Sequence, residues 1–296
     1  MRASQSRSLS MGSPRRERAL DDSMTSFARF IALGDSMTEG MNDVIINGNF
    51  RGWADRVADV LATTHPNFTY MNLAIRGKLV GQVVREQIPI ALKNIPYPGS
   101  ISGGYEIKPS EILVSFHAGA NDILRPKYSA EETIATYNKG VEIFAERGVR
   151  LMLFCILEDF AAGSKTGSAL AERFRYFNEN VKRIARDTGA ILLDPNPEPF
   201  WHDRSFMSWD RLHMNSEGHH RAAQGVLAKL ELPHDPKFRE PHLRIETKSQ
   251  MKQLRENIHW FFAFLLPWIW RRIRGRSSGD GRAPKYGEPI SWPLQG

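Results

Sequence analysis

Between residues 29 and 230 the chain alternates short, nearly unbroken apolar runs with stretches whose apolar residues recur every three to four positions. The runs Phe30–Gly34, Phe68–Leu73, Ile112–Ala118, Arg150–Leu157 and Ala190–Asp194 predict five strands. Being apolar at successive positions, they are expected to be covered on both faces, as in a parallel sheet with helices on each side. The intervening segments supply those helices. Ser129 and Glu132 form a capping box ahead of Ile134, Tyr137, Val141 and Phe144, and Gly148 stops that helix. Leu170, Phe174, Phe177, Val181 and Ile184 mark a second helix ended by Gly189, and Asn215 reads as the N-cap of a third through Ala222, Val226 and Leu230. This βα alternation predicts an α/β protein with an open, doubly wound sheet and functional residues at the carboxyl ends of its strands. Ile95–Ser110, rich in Pro and Gly, interrupts the pattern as a long loop that either borders the site or makes a surface excursion.

The two ends read differently, dividing the chain into 1–23, 24–236 and 237–296. Residues 1–23, rich in Ser and Arg and poor in apolar groups, are expected to be a disordered extension, with Met11 and Met24 as alternative starts. No continuous apolar stretch precedes Met24, so the segment does not read as a secretory signal. From about Thr247, Met251, Leu254, Ile258, Phe261 and Leu265 are spaced for one face of a helical arm, and the aromatic block that follows is closed by Arg271, Arg272, Arg274 and Arg276. The run Trp260–Trp270 is eleven residues long and contains Pro267, whereas spanning a bilayer takes about 20 apolar residues. The arm (residues 247–276) therefore either packs on the body or a second subunit, or seats itself in an anionic membrane interface as a peripheral contact. Packing is favoured, because the apolar period reaches back to Met251. Residues 277–296 read as a flexible tail.

Charge sharpens this division. The formal net charge is +7, but residues 237–296 hold twelve Lys and Arg against five Asp and Glu, and residues 1–23 hold five against three. Residues 24–236 are consequently slightly acidic. Nucleic acid is not expected as a partner, because the aromatics of the arm form one apolar block and are not interleaved with basic groups as stacking platforms. Cys155, the one cysteine, lies in an apolar run and reads as a small core residue. With no intrachain disulfide available, a reducing, cytoplasmic location is expected. His219 and His220 lack partners at ligand spacing, and Gly34 to Gly40 lacks the inner glycines of a phosphate cradle, so no metal or cofactor is expected.

The strand ends carry the candidate chemistry. The first delivers Gly34-Asp35-Ser36, the second leads to Gly77, the third ends in Gly119-Ala120-Asn121-Asp122, and Asp210-Arg211-Leu212-His213 follows the fifth. A serine hydroxyl becomes a useful nucleophile when an imidazole takes its proton, and the imidazole needs a carboxylate to fix its tautomer. Asp210 and His213, three residues apart, can form that pair locally. The Ser36 and Gly77 N–H groups and the Asn121 amide can supply three donors to an oxyanion, each worth roughly 10²–10³ in rate. Asp35 and Asp122 read as structural, and His117 as a satisfied strand histidine. Phe200, Trp201, Phe206 and Trp209 either wall an acyl pocket or anchor the loop before Asp210.

Together these four blocks resemble the SGNH hydrolases, also called the GDSL esterase/lipase family, over about residues 28–230. The resemblance implies a flavodoxin-like three-layer α/β/α sandwich with a five-stranded, mostly parallel sheet. It also implies Ser36 as nucleophile, His213 as base, Asp210 as its orienter, and Gly77 with Asn121 in the oxyanion hole. Met37 stands where the name motif has leucine, a change expected to affect packing and not chemistry. The activity expected is hydrolysis of a small-molecule carboxylic ester through an acyl-serine. The alternatives are acyl transfer by the same triad, or a membrane-surface adaptor acting through the basic arm.

Overall fold

All five expected strands form, as β1 (Arg29–Gly34), β2 (Thr69–Asn72), β3 (Ile112–His117), β4 (Arg150–Phe154) and β5 (Ile191–Leu193). The structure, a computed structural model, describes residues 26–97, 107–158, 165–241 and 249–294. The extension expected at 1–23 and most of the loop expected at 95–110 lie outside the described residues. The five strands are parallel in the order β5-β4-β3-β1-β2, so the order reverses beside β1, where ligand crevices open in sheets of this kind.

Alternation along the strands divides the core in two. Ile31, Leu33, Met71, Val114, Phe116, Leu151 and Leu153 face one way. Phe30, Ala32, Tyr70, Leu113, Met152 and Phe154 face the other. The second face is covered by α1 (Gly52–Thr64) and by the helix Ser216–Lys229. Covering the first are α2 (residues 80–93, with a π-helical turn at Val83–Gln87), α3 (Ala130–Glu146) and α4 (Lys165–Thr188). Ser129 caps α3 through the Glu132 N–H at 3.3 Å, and Asn215 caps Ser216–Lys229, here α5, through the Gly218 N–H at 3.0 Å.

The sheet has six strands, not five. β6 (Tyr286–Ser291) pairs antiparallel with β2, with Thr69 opposite Ser291 and Asn72 opposite Tyr286, so the expected flexible tail is an edge strand. Its sequence, Tyr-Gly-Glu-Pro-Ile-Ser, has weak strand propensity, and proline suits only an edge. Anchors from elsewhere hold it. The Lys285 ammonium donates to Asp55 Oδ2 at 2.8 Å and to the Phe50 carbonyl at 2.7 Å, and the Trp292 indole donates to Asp59 Oδ1 at 2.8 Å. Burial pushes Asp55 up and Lys285 down, each opposed by the attraction of its partner. Lys285→Met is expected to destabilise the fold by about 3–5 kcal/mol, because it leaves the buried Asp55 carboxylate unpaired. With Asp55 raised further, the loss is largest at neutral pH and shrinks as falling pH protonates it; urea unfolding at two pH values checks this.

The arm is helical, as α6 (Gln250–Trp260), a π-helical turn (Phe261–Leu265) and α7 (Leu266–Ile273). It meets the body through Trp260 and Phe264. The face that the sequence offers for docking is largely exposed instead, Met251, Leu254, Ile258 and Phe261 among it. The aromatic side of the helix takes the contact because it meets Trp209 and Arg211. Among the described residues no helix is long and apolar enough to cross a membrane.

Candidate active site

Gly34 ends β1 with φ of 147°, and a Cβ there would sit 2.2 Å from the His117 carbonyl oxygen of β3. Only glycine permits that approach. Asp35 then caps a single helical turn, Ser36–Glu39, by accepting from the Met37 N–H at 3.2 Å. The turn carries the Ser36 hydroxyl to the rim of the sheet. Across the crevice Asp210 organises its own loop, its Oδ1 accepting from the Leu212 and His213 N–H groups, each at 3.0 Å. Its Oδ2 lies 2.7 Å from His213 Nδ1 and accepts from the Asn42 amide at 2.6 Å. His213 Nε2 lies 2.8 Å from Ser36 Oγ.

The protonation pattern follows from these partners. A carboxylate beside Nδ1 fixes the proton there and leaves Nε2 to accept from the serine. Burial alone would raise the Asp210 carboxyl, but hydrogen bonds and charge attraction from His213, with backbone N–H donors, hold it below the ordinary carboxylate value. Ser36, Asp210 and His213 are all buried.

Asn121 lies on the turn Ala120–Ile123 after β3, where its amide donates to Asp35 Oδ2 at 3.0 Å and to the Lys78 carbonyl at 3.2 Å. Gly77 lies between two residues tied to this region. Arg76 bonds Glu39 of the Ser36 turn through its N–H at 2.6 Å and through its guanidinium, while Lys78 receives Asn121. The fold thus brings Ser36, His213 and Asp210 into one hydrogen-bonded line and sets Asn121 and the Gly77 loop beside it. Asp35 and Asp122 act structurally, as expected; Asp122 accepts from the Val80 N–H at 3.0 Å, and burial raises its carboxyl to about 6.

A cavity of about 760 Å³ opens at Ser36, Asn121 and His213 and continues past Phe154, Leu193, Phe200, Trp201, Met214 and Phe238. The four aromatics ahead of Asp210 divide their duties. Phe200 and Trp201 line the cavity, Phe206 is buried against Phe200, and Trp209 is exposed and packs on Phe264 of the arm. His117 departs from expectation. Its ring stacks on Phe154 at 4.7 Å, its Nδ1 has no hydrogen-bond partner among the described residues, and burial lowers it to about 4. The Cys155 thiol is buried and pushed up to about 12, as suits a core residue.

Sequence reasoning missed Asn42 and the contacts of the arm with the Asp210 loop. The Trp260 indole donates to the Asp210 carbonyl at 2.8 Å, and Asn257 accepts from Arg211 at 2.7 Å. Arg211 itself has φ of 58°. At the other end Ser277 Oγ donates to the Arg76 carbonyl at 3.2 Å, and a Cβ on Gly77 would meet that Oγ at 2.0 Å. No local signal marks these contacts, because their partners lie 50 and 201 positions apart.

No curated protein sequence matches the chain. Among solved structures it is similar to LAE5, an alpha/beta hydrolase enzyme from the metagenome of Lake Arreo, Spain, at 18% identity and TM-score 0.55, covering 70% of this chain and 98% of that one. It is also similar to Axe2, an acetylxylan esterase from Geobacillus stearothermophilus, at 16% identity and TM-score 0.56, covering 75% and 99%. These likenesses establish the fold. Residues 32–221 match the GDSL-like Lipase/Acylhydrolase family, and the chain therefore belongs to that family of ester-cleaving hydrolases.

Proposed function

We propose that the chain is a serine esterase that cleaves a carboxylic ester through an acyl-Ser36 intermediate. The observation that carries this reading is the unbroken line from Ser36 Oγ to His213 Nε2 at 2.8 Å and from His213 Nδ1 to Asp210 Oδ2 at 2.7 Å. His213 takes the hydroxyl proton as Oγ attacks the carbonyl carbon, then gives it to the departing alkoxide, which leaves as the alcohol. Water then loses a proton to His213 as it attacks the carbonyl carbon of the acyl-serine, and His213 returns that proton to Ser36 Oγ as the C–O bond breaks and the acid departs. The Ser36 and Gly77 N–H groups and the Asn121 amide receive the developing oxyanion, Asn121 by sharing donors it now gives to Asp35 and Lys78. The hydrolase unit spans residues 24–236, with the arm and tail at 237–296, and the buried single cysteine favours a cytoplasmic setting.

Substrate choice follows from the cavity. A space of about 760 Å³ falls within the roughly 300–1,000 Å³ typical of drug-sized ligands, and its aromatic and aliphatic lining favours an apolar acyl chain over acetate. Across a series of p-nitrophenyl esters, kcat/KM is expected to rise from acetate to a medium-chain ester.

A fluorophosphonate probe with peptide mass spectrometry tests the mechanism. One adduct on the Ser36 peptide and burst kinetics are expected; an intact, folded chain with neither would overturn the proposal. Added alcohols separate hydrolysis from acyl transfer. For the oxyanion site, Gly77→Ala is expected to lower kcat by about 10², comparable to removing a donor, since φ of 77° and the approach of Ser277 both oppose a Cβ. Circular dichroism distinguishes this from unfolding.

A further inference from the structure

The arm is a helical rod over residues 250–273, about 36 Å long at 1.5 Å per residue. One side, with Trp260 and Phe264, rests on the loop that carries Asp210. The other presents Met251, Leu254, Ile258, Phe262, Ile269 and Ile273, each 38–71% exposed, at intervals of three, four or seven residues. Such a contiguous apolar stripe is unusual on a surface without a partner. Across residues 249–276 the chain carries Lys252, Arg255, Arg271, Arg272, Arg274 and Arg276 against a single carboxylate, Glu256. Arg274 also stacks on Trp270 at 4.1 Å. An apolar stripe, tryptophans near its end and a strong excess of cations form the chemistry of a helix that lies in a membrane interface.

We propose that this rod seats the protein on an anionic bilayer, with the stripe entering the headgroup region and the cations meeting lipid phosphates. A second copy of the chain is the poorer occupant. A two-fold pairing through the stripe would bring two sets of six cations together, whereas an anionic surface attracts all of them. Because Trp260 ties the rod to the Asp210 carbonyl, seating brings the candidate active site to the interface, where esters with apolar chains reside. The inference rests on the arm alone and stands whether or not Ser36 proves catalytic.

Co-sedimentation of the full chain with sucrose-loaded vesicles tests it, using phosphatidylcholine with and without phosphatidylglycerol, at low and high salt. Binding to the phosphatidylglycerol vesicles at low salt is expected, with at least a tenfold loss at high salt or on neutral vesicles. Ile258→Asp combined with Phe262→Asp, and separately Arg274→Gln combined with Arg276→Gln, should each weaken binding about tenfold or more. These side chains are exposed, so thermal unfolding should be unchanged, and the charge variant keeps the test decisive if the stripe variant misfolds. Failure of the wild type to bind anionic vesicles at low salt, equal binding to neutral ones, or binding indifferent to a folded variant overturns the proposal. So does a dimer, seen by analytical ultracentrifugation in the absence of vesicle binding, that Phe262→Asp dissolves; the stripe then belongs to a second copy.

Discussion

Ser36→Ala, His213→Ala and the double variant are all expected to lose about 10⁶ in kcat, with the double variant no worse than either single one. The reason is that Ser36 and His213 act as one unit, with Nε2 only 2.8 Å from Oγ. Without the imidazole the hydroxyl keeps its proton and attacks poorly; without the hydroxyl the imidazole has nothing to activate. The oxyanion donors and the cavity remain, so a residual rate of roughly 10³–10⁴ over water is expected to persist. Single-turnover measurements on an activated ester, with fluorophosphonate labelling in parallel, check both points. Additive losses would show that the two residues do not act together.

Asp210→Asn is expected to cost about 10⁴ in kcat while leaving the backbone of the site in place. Asp210 Oδ2 faces two donors at once, His213 Nδ1 at 2.7 Å and the Asn42 amide at 2.6 Å, while Oδ1 receives two backbone N–H groups at 3.0 Å. An asparagine that turns its oxygen toward the backbone presents its NH₂ to His213 and Asn42. His213 then accepts through Nδ1, carries its proton on Nε2 and can no longer take one from Ser36. Turned the other way, the asparagine forfeits the two backbone bonds that shape the loop. Comparing kcat and the labelling rate with thermal unfolding separates the tautomer effect from loss of structure. Asn42→Ala should do less, since Asp210 keeps its charge and its bond to His213.

Much of this site was legible in the chain. Gly34-Asp35-Ser36 follows a run that is apolar on both faces, and such a run, in βα alternation, has to end at a sheet rim. Asp210 and His213 are three residues apart, and the Asp210 carboxylate binds the intervening backbone, so that pair is nearly local. Asn42 carried no comparable signal. It lies 168 positions from Asp210, and an asparagine in a loop reads as a turn former. His117 differs for the opposite reason. A strand histidine is normally satisfied by a neighbour, but here Phe154 covers the ring and Nδ1 finds no partner among the described residues.

The C-terminal region shows the same division. The helical period of the arm is a local property and was read correctly, whereas the face that docks was not, because it depends on Trp209 and Arg211 standing opposite Phe264 and Trp260. The tail that became β6 has the composition of a loop, and the exposed edge of β2, the buried Asp55 and the Asp59 carboxylate make it a strand. By itself, then, the sequence determined the five parallel strands and their covering helices and singled out Ser36, Asp210 and His213 as candidates, because periodicity and short-range side-chain chemistry are local properties. Tertiary structure alone decided the sixth strand, the seat of the arm and the support Asp210 receives from Asn42 and Trp260, because each is a contact between distant segments that neither can specify alone.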